Sequence, residues 1–282
     1  MTDGPPARIL TRASRDAGGE TAVTTKHAED GTHAESRSDH SAAGAASERR
    51  YTAGDYWAGH ADWLERKQDT KSLDLIEHVL AIAHDRGVAK LSVADIGGGT
   101  GLVSDGLRRL GPDHGIEIEA TCYEIAPNAV EQGEAHFPGV RFVNRAFRPD
   151  DGPHDIALFA DVLEHVENPW AMLRDARAAA GYLLVRQPLL TCLSNYRHDV
   201  YKRIRDAEGH ITLFDARQFE DMCRATGWSP LSTRLAHLYE LPGSERRLGL
   251  ARRLVYRLNR TLASFIFPGF YLVGAYKAVE PR

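Results

Sequence analysis

Val93-Ala94-Asp95-Ile96 runs directly into Gly97-Gly98-Gly99-Thr100-Gly101, and Leu102 to Leu110 follows with helical spacing. Glycines at such a junction allow a tight turn and let the backbone approach a ligand that a Cβ would exclude. That suits the binding of a nucleotide-type cofactor. A dinucleotide fits poorly, because a G-x-G-x-x-G pattern counted from Gly97 puts Leu102 at the third glycine. Glu124 closes the next apolar run, Thr121-Cys122-Tyr123-Glu124, 23 residues after Gly101. A carboxylate there can accept both hydroxyl hydrogen bonds of a ribose. A third group stands in Asp161-Val162-Leu163-Glu164-His165-Val166. An imidazole with an ordinary pKa near 6.5 has a large neutral fraction at pH 7, which makes His165 a candidate general base with Glu164 beside it. The same pair could instead only cap or shape the loop.

These residues need strands that end on one edge. Apolar runs predict strands near 91–96, 116–124, 140–144, 155–160, 181–186, 230–239 and 269–278. Between them, helical spacing predicts helices near 101–110, 127–136, 168–179, 215–227 and 244–263. Strand–helix alternation implies a doubly wound, mostly parallel α/β sheet, whose ligands sit beyond the carboxyl ends of its strands. Residues 1–50 contain no Phe, Tyr or Trp and are expected to be a disordered tail. A helical cap is expected over 51–90: Tyr51, Tyr56, Trp57 and Trp63 arrive together, then Leu73, Ile76, Val79, Leu80 and Ala83 recur at helical spacing. The aromatics suit either a lid over an acceptor pocket or ordinary packing.

The glycine stretch resembles the first motif of the class I S-adenosylmethionine-dependent methyltransferases, D-I-G-x-G-T-G, here Asp95 to Gly101. Asp161 to Val166 is similar to the D-V-L-E-H-V segment of their small-molecule members. Gly209-His210-Ile211, with Leu213-Phe214, resembles their G-H-x-x-x-F, and Ala225-Thr226-Gly227-Trp228 the A-G-F that ends the following helix. The likeness runs over residues 55 to 278. It implies a seven-stranded Rossmann-like sheet with an antiparallel strand at one edge, in a methyltransferase domain over 51–282. It also implies S-adenosylmethionine as cofactor, held by Gly97, Gly99, Gly101 and Glu124. Asp95 would fix loop amides or receive the methionine ammonium through water, and Asp161 would join the cofactor loop. The acid that often follows the third strand is missing from Val143-Asn144-Arg145-Ala146-Phe147. Adenine would then rest on backbone groups, on Asn144 or against Phe147.

Asp161, Glu164, His165 and His210 further resemble the metal site of ubiquinone-pathway O-methyltransferases and small-RNA 2′-O-methyltransferases. Such hard oxygen and imidazole donors suit Mg²⁺ or Mn²⁺. The implied activity is methyl transfer to a small-molecule acceptor in small-molecule biosynthesis, at oxygen before nitrogen or carbon. The rivals are metal-dependent methylation of small RNA and a non-catalytic S-adenosylmethionine-binding partner protein.

The chain has 282 residues and a formal net charge of −4, which argues against a general DNA or RNA binder. Cys122, Cys192 and Cys223 form neither a C-x-x-C pair nor a disulfide framework, and the N-terminus lacks a signal-peptide core, so a cytoplasmic protein is expected. Acceptor-side insertions are expected at 190–212 and 240–265. The first contains Arg197, His198, Lys202, Arg203 and Arg205, which suit an anionic acceptor or a solvated helix face. The second is basic and amphipathic; such a helix can lie on an anionic membrane surface, but more often covers a sheet.

Overall fold

The computed structural model describes residues 70–198, 200–238 and 250–279. The expected tail over 1–50 and the aromatics Tyr51, Tyr56, Trp57 and Trp63 lie outside them. Of the expected cap, α1 (Thr70–Arg86) is described. The strands are β1 (Lys90–Ile96), β2 (Glu117–Tyr123), β3 (Arg141–Val143), β4 (His154–Ala160), β5 (Ala180–Leu189), β6 (Trp228–His237) and β7 (Phe270–Ala278). Helices α2 (Leu102–Leu110), α3 (Pro127–His136), α4 (Pro169–Ala179) and α7 (Ala216–Ala225) alternate with them. The insertion after β5 forms α5 (Leu193–Arg197) and α6 (Val200–Glu208).

The strands form one seven-stranded sheet in the order β3-β2-β1-β4-β5-β7-β6. β1 through β5 pair in parallel, and β7 runs antiparallel to both β5 and β6. The direction of winding reverses between β1 and β4, which opens a crevice at their carboxyl ends. Alternating side chains of β4 divide the core: Ile156 and Leu158 pack with α1 and α2, whereas Ala157 and Phe159 pack with α4 and α7.

Two expectations need correction. The antiparallel strand does not lie at the edge but one place in, and β6 is outermost. Pro230 lacks an amide hydrogen, and the β6 register shifts between Pro230 and Ser232; an edge strand tolerates both, whereas β7 is buried almost throughout and keeps a ladder on each side. The helix expected over 244–263 is, where described, two helices, α8 (Leu250–Leu258) and α9 (Arg260–Ile266). Asn259 divides them, its side chain accepting the Leu262 amide as an N-cap. The three cysteines are buried and free, as their spacing predicts.

Candidate active site

The turn after β1 is shaped by backbone that side chains rarely adopt. Gly97, Gly99 and Gly101 have φ of 71°, 59° and 75°. At Gly101 a Cβ would also lie 2.6 Å from Phe142 Cζ, and at Gly98 one would lie 2.5 Å from Asp95 Oδ2. The turn is therefore packed tightly from below, and its glycines leave its backbone open to a ligand. Glu124, 5% exposed, accepts the Gly99 amide at Oε2 and the Ala126 amide at Oε1, both at 2.9 Å. Burial pushes its carboxyl up in pKa, and those amides oppose the rise. The carboxylate has more lone pairs than these amides use, so it keeps capacity for a ribose hydroxyl without breaking the turn.

Asp95 is fully buried and accepts the Ser104 hydroxyl at 2.8 Å through Oδ2. Its Oδ1 has no hydrogen-bond partner among the described residues. Burial raises its pKa to about 6 against the pull of that hydroxyl. The partner is thus a side chain in the first turn of α2 rather than the loop amides expected. Beyond β3, the Asn144 side-chain amide donates to the Glu124 carbonyl at 2.9 Å. Phe147 stands edge-on to Tyr123, ring centres 5.0 Å apart, beside the same turn.

Asp161 terminates β4 with φ 60°, the one left-handed non-glycine residue among those described. Arg186 Nη1 donates to both its carboxylate oxygens, at 2.6 and 2.5 Å, and Lys71 Nζ lies 2.8 Å from Oδ2. Burial alone would raise the Asp161 pKa, but the two cations overcome it and hold the carboxyl below its usual range. Arg186 is 4% exposed, sits 3.9 Å over the Tyr271 ring and reaches Asp74 on α1 at 3.5 Å. This clamp joins α1 to the ends of β4 and β5. Spacing gave no hint of Lys71 or Asp74. Arg186-Gln187 inside the apolar run of β5 was the available signal, since buried charges are kept only with partners.

The Asp161 carboxylate is thereby taken up by cations, and it departs from the expected metal quartet. The other three members do meet: Glu164, His165 and His210 offer ligand atoms that all lie within 4.8 Å of one another. Glu164 is 1% exposed; its Oε2 accepts from Gln187 at 3.1 Å, and its Oε1 faces His165 Nε2 at 3.9 Å without a hydrogen bond. Burial, and then the Asp161 charge, push the Glu164 carboxyl well above the ordinary carboxylate range. His165 Nδ1 is 3.3 Å from the Gly209 carbonyl. A carbonyl can only accept, so in the neutral ring Nδ1 carries the hydrogen and Nε2 the lone pair. The His210 ring is 4.6 Å from that of His165, and its Nδ1 is buried without a hydrogen-bond partner among the described residues. Burial, and then the His165 charge, lower the His210 pKa to about 4.

A doubly wound sheet with a glycine turn, a strand-end carboxylate and a titratable cluster across the switch point defines a cofactor-dependent α/β enzyme. The family model of the methyltransferase domain, Methyltransf_23, matches residues 64–233, more than half of the chain. The chain belongs to this family and is a class I, S-adenosylmethionine-dependent methyltransferase. No curated protein matches it significantly. Among solved structures, the plantazolicin methyltransferase BpumL, in complex with a monoazolic desmethylPZN analogue and S-adenosylhomocysteine, has a TM-score of 0.57 at 11% identity, covering 89% of this chain and all of its own. A possible histamine N-methyltransferase from Thermotoga maritima has a TM-score of 0.52 at 15% identity, over 80% of this chain and 96% of its own. A putative methyltransferase complexed with the Haloferax volcanii Trm112 activator gives 0.51 at 16%, over 81% and 97%. At such identities the likeness is one of fold.

Proposed function

We propose that this enzyme methylates an oxygen of a small-molecule acceptor at the carboxyl edge of β4 and β5, with His165 as the proton acceptor. The carrying observation is the orientation of His165, its Nδ1 at the Gly209 carbonyl and its Nε2 lone pair toward Glu164, in a ring 17% exposed. S-adenosylmethionine supplies an electrophilic methyl group on a sulfonium, so catalysis asks mainly for alignment and removal of the acceptor proton. Gly97, Gly99 and Gly101 provide the open backbone and Glu124 the ribose carboxylate. Asp95, with an unused buried oxygen, suits the methionine ammonium. Phe147 flanks the adenine side, and Asp161 fixes the turn after β4. Glu164 then acts beside His165 as a buried, largely neutral carboxyl that shapes the imidazole's surroundings.

A second reading is supported by the gathering of Glu164, His165 and His210, in which Glu164 Oε1 and His210 Nδ1 lack hydrogen bonds. These three would hold Mg²⁺ or Mn²⁺, which would lower the pKa of an acceptor hydroxyl. Calorimetric titration with S-adenosylhomocysteine, then with Mn²⁺, on wild type and His165→Ala separates the readings. Absence of heat in the first step would sink the cofactor site. Micromolar Mn²⁺ binding lost in His165→Ala favours the metal; none leaves His165 as the base. Radiolabelled methyl transfer to a panel of phenols, alcohols, amines and small RNAs then separates the proposed reaction from RNA methylation and from a non-catalytic partner role.

A further inference from the structure

The insertions after β5 and between β6 and β7 both emerge from the carboxyl edge, because β6 runs in the same direction as β5. Eleven large hydrophobic side chains are exposed among the described residues, and seven of them lie on these insertions, Leu238 being the least exposed of the seven. Leu193 and Tyr196 on α5 are 54% and 76% exposed. Leu254 and Leu258 on α8 are 61% and 77% exposed, and Leu262 and Phe265 on α9 are 50% and 59%. Spacings of four and three residues put the members of each helix's pair on one helical face, and α9 packs on α5. Charge follows the same segment. Residues 246–267 hold six arginines and no acid, whereas the rest of the chain has 29 basic residues against 39 acidic ones. Arg257 is exposed between Leu254 and Leu258, and Arg197, Lys202 and Arg203 are exposed on α5 and α6. Asp206 and Glu208 are the acids of these insertions among the described residues, and the sequence adds Asp199, Glu240 and Glu245.

We propose that this face docks the enzyme on an anionic lipid bilayer, with α8 and α9 in the interface and the acceptor side turned toward it. Apolar side chains flanked by arginine match the headgroup–acyl boundary, where apolar burial and attraction to anionic lipid add. A second copy of the chain fits worse, because a two-fold contact would set the arginines of one copy against those of the other. The surface depends on no step of methyl transfer. Vesicle binding therefore tests it, while S-adenosylhomocysteine affinity separately reads the reaction assigned above.

The experiment is co-sedimentation of the full chain with vesicles of phosphatidylcholine alone or mixed equally with phosphatidylglycerol. The anionic vesicles should bind about tenfold more tightly at low salt, and the gain should fade as salt rises. Leu258→Glu with Phe265→Glu should bring binding down to the neutral-vesicle level, and Arg257→Glu should weaken it about fivefold. Val88→Glu, at an exposed apolar residue before β1 on the opposite edge, should leave it unchanged. S-adenosylhomocysteine affinity should be the same in all of these variants, which shows that each is folded. Equal or absent binding to the two vesicle types overturns the proposal. So does a dimer in light scattering that Leu258→Glu dissolves, because the face then belongs to a second copy.

Discussion

The turn after β1 and the insertions beyond β5 and β6 grow from the same sheet edge but are finished differently. In the turn, Glu124 holds two backbone amides, Asp95 holds Ser104, and a Cβ at Gly98 or Gly101 would strike a neighbour. In the insertions, large apolar side chains stand in solvent, and on the same edge Glu164 Oε1 and His210 Nδ1 have no hydrogen bond among the described residues. The first region is shaped almost wholly by its own side chains, and Asp95 Oδ1 is the buried oxygen it leaves without a hydrogen bond among the described residues. The second, on the readings proposed above, is complete only with an acceptor and a bilayer against it. A methyltransferase can therefore keep one half of its site fixed while the other answers to the acceptor.

That contrast breaks if damage to the turn also disables the cluster. Gly101→Val adds left-handed strain and an overlap with Phe142, together about 3 kcal/mol or more, so S-adenosylhomocysteine affinity should fall at least about 100-fold. Any Mn²⁺ binding at Glu164, His165 and His210 should survive, and calorimetry reads both. Next in size is the clamp between the regions. Asp161→Ala leaves Arg186 buried with Asp74 as its carboxylate partner, and should cost about 3 kcal/mol in denaturant unfolding. Because the Asp161 pKa is depressed in the fold, its contribution is present above about pH 4 and lost as pH falls through the lowered value. The variant should accordingly lack that part of the acid loss.

Glu124→Ala should weaken S-adenosylhomocysteine by about 2 kcal/mol, roughly 30-fold, since it removes the ribose acceptor and strands two amides. Glu164→Gln has a subtler outcome. A carboxyl whose pKa is raised by folding gives stability that is full below about pH 4 and is lost as pH rises toward the raised value. Wild type should lose stability on that rise, and the amide should flatten the slope while keeping the contact with Gln187. The smallest signal is at His210, whose lowered pKa of about 4 keeps it neutral from pH 5.5 to 8. Its ring resonances should stay still over that range, and movement there would place it among the proton carriers.

Legibility in the sequence follows the same divide. All seven strands were readable because apolar runs between turn residues report local burial, and Gly97 to Gly101 was readable because φ restricts residue type. The place of β7 was not, because nothing local says which strand fills the gap beside β5. Asn259 is a good N-cap residue, yet apolar spacing continues across it, so the break between α8 and α9 was hidden. Asp161 looked like a second acid for a cation until Arg186, 25 residues away, and Lys71 claimed it. Ion pairing across a sheet has no period in the sequence. Glu164, His165 and His210 came together as the motifs implied, because the Ile211 and Thr212 amides donate to the Glu164 carbonyl and tie the two loops.

His237 and Phe270, the residues at either end of the run 238–269, are register partners on neighbouring strands. Everything between them leaves and rejoins the sheet through one doorway. Closing a loop costs only about 0.6 kcal/mol more for each doubling of its length, so that run can be lengthened at little expense to the sheet where it leaves Ala263 and Tyr256 packed on the core. The crossover can thus be re-engineered as a cartridge, while the strands that receive it and the turn after β1 stay unedited. A chimera that carries another methyltransferase's crossover between His237 and Phe270 inherits a socket already cut to fit.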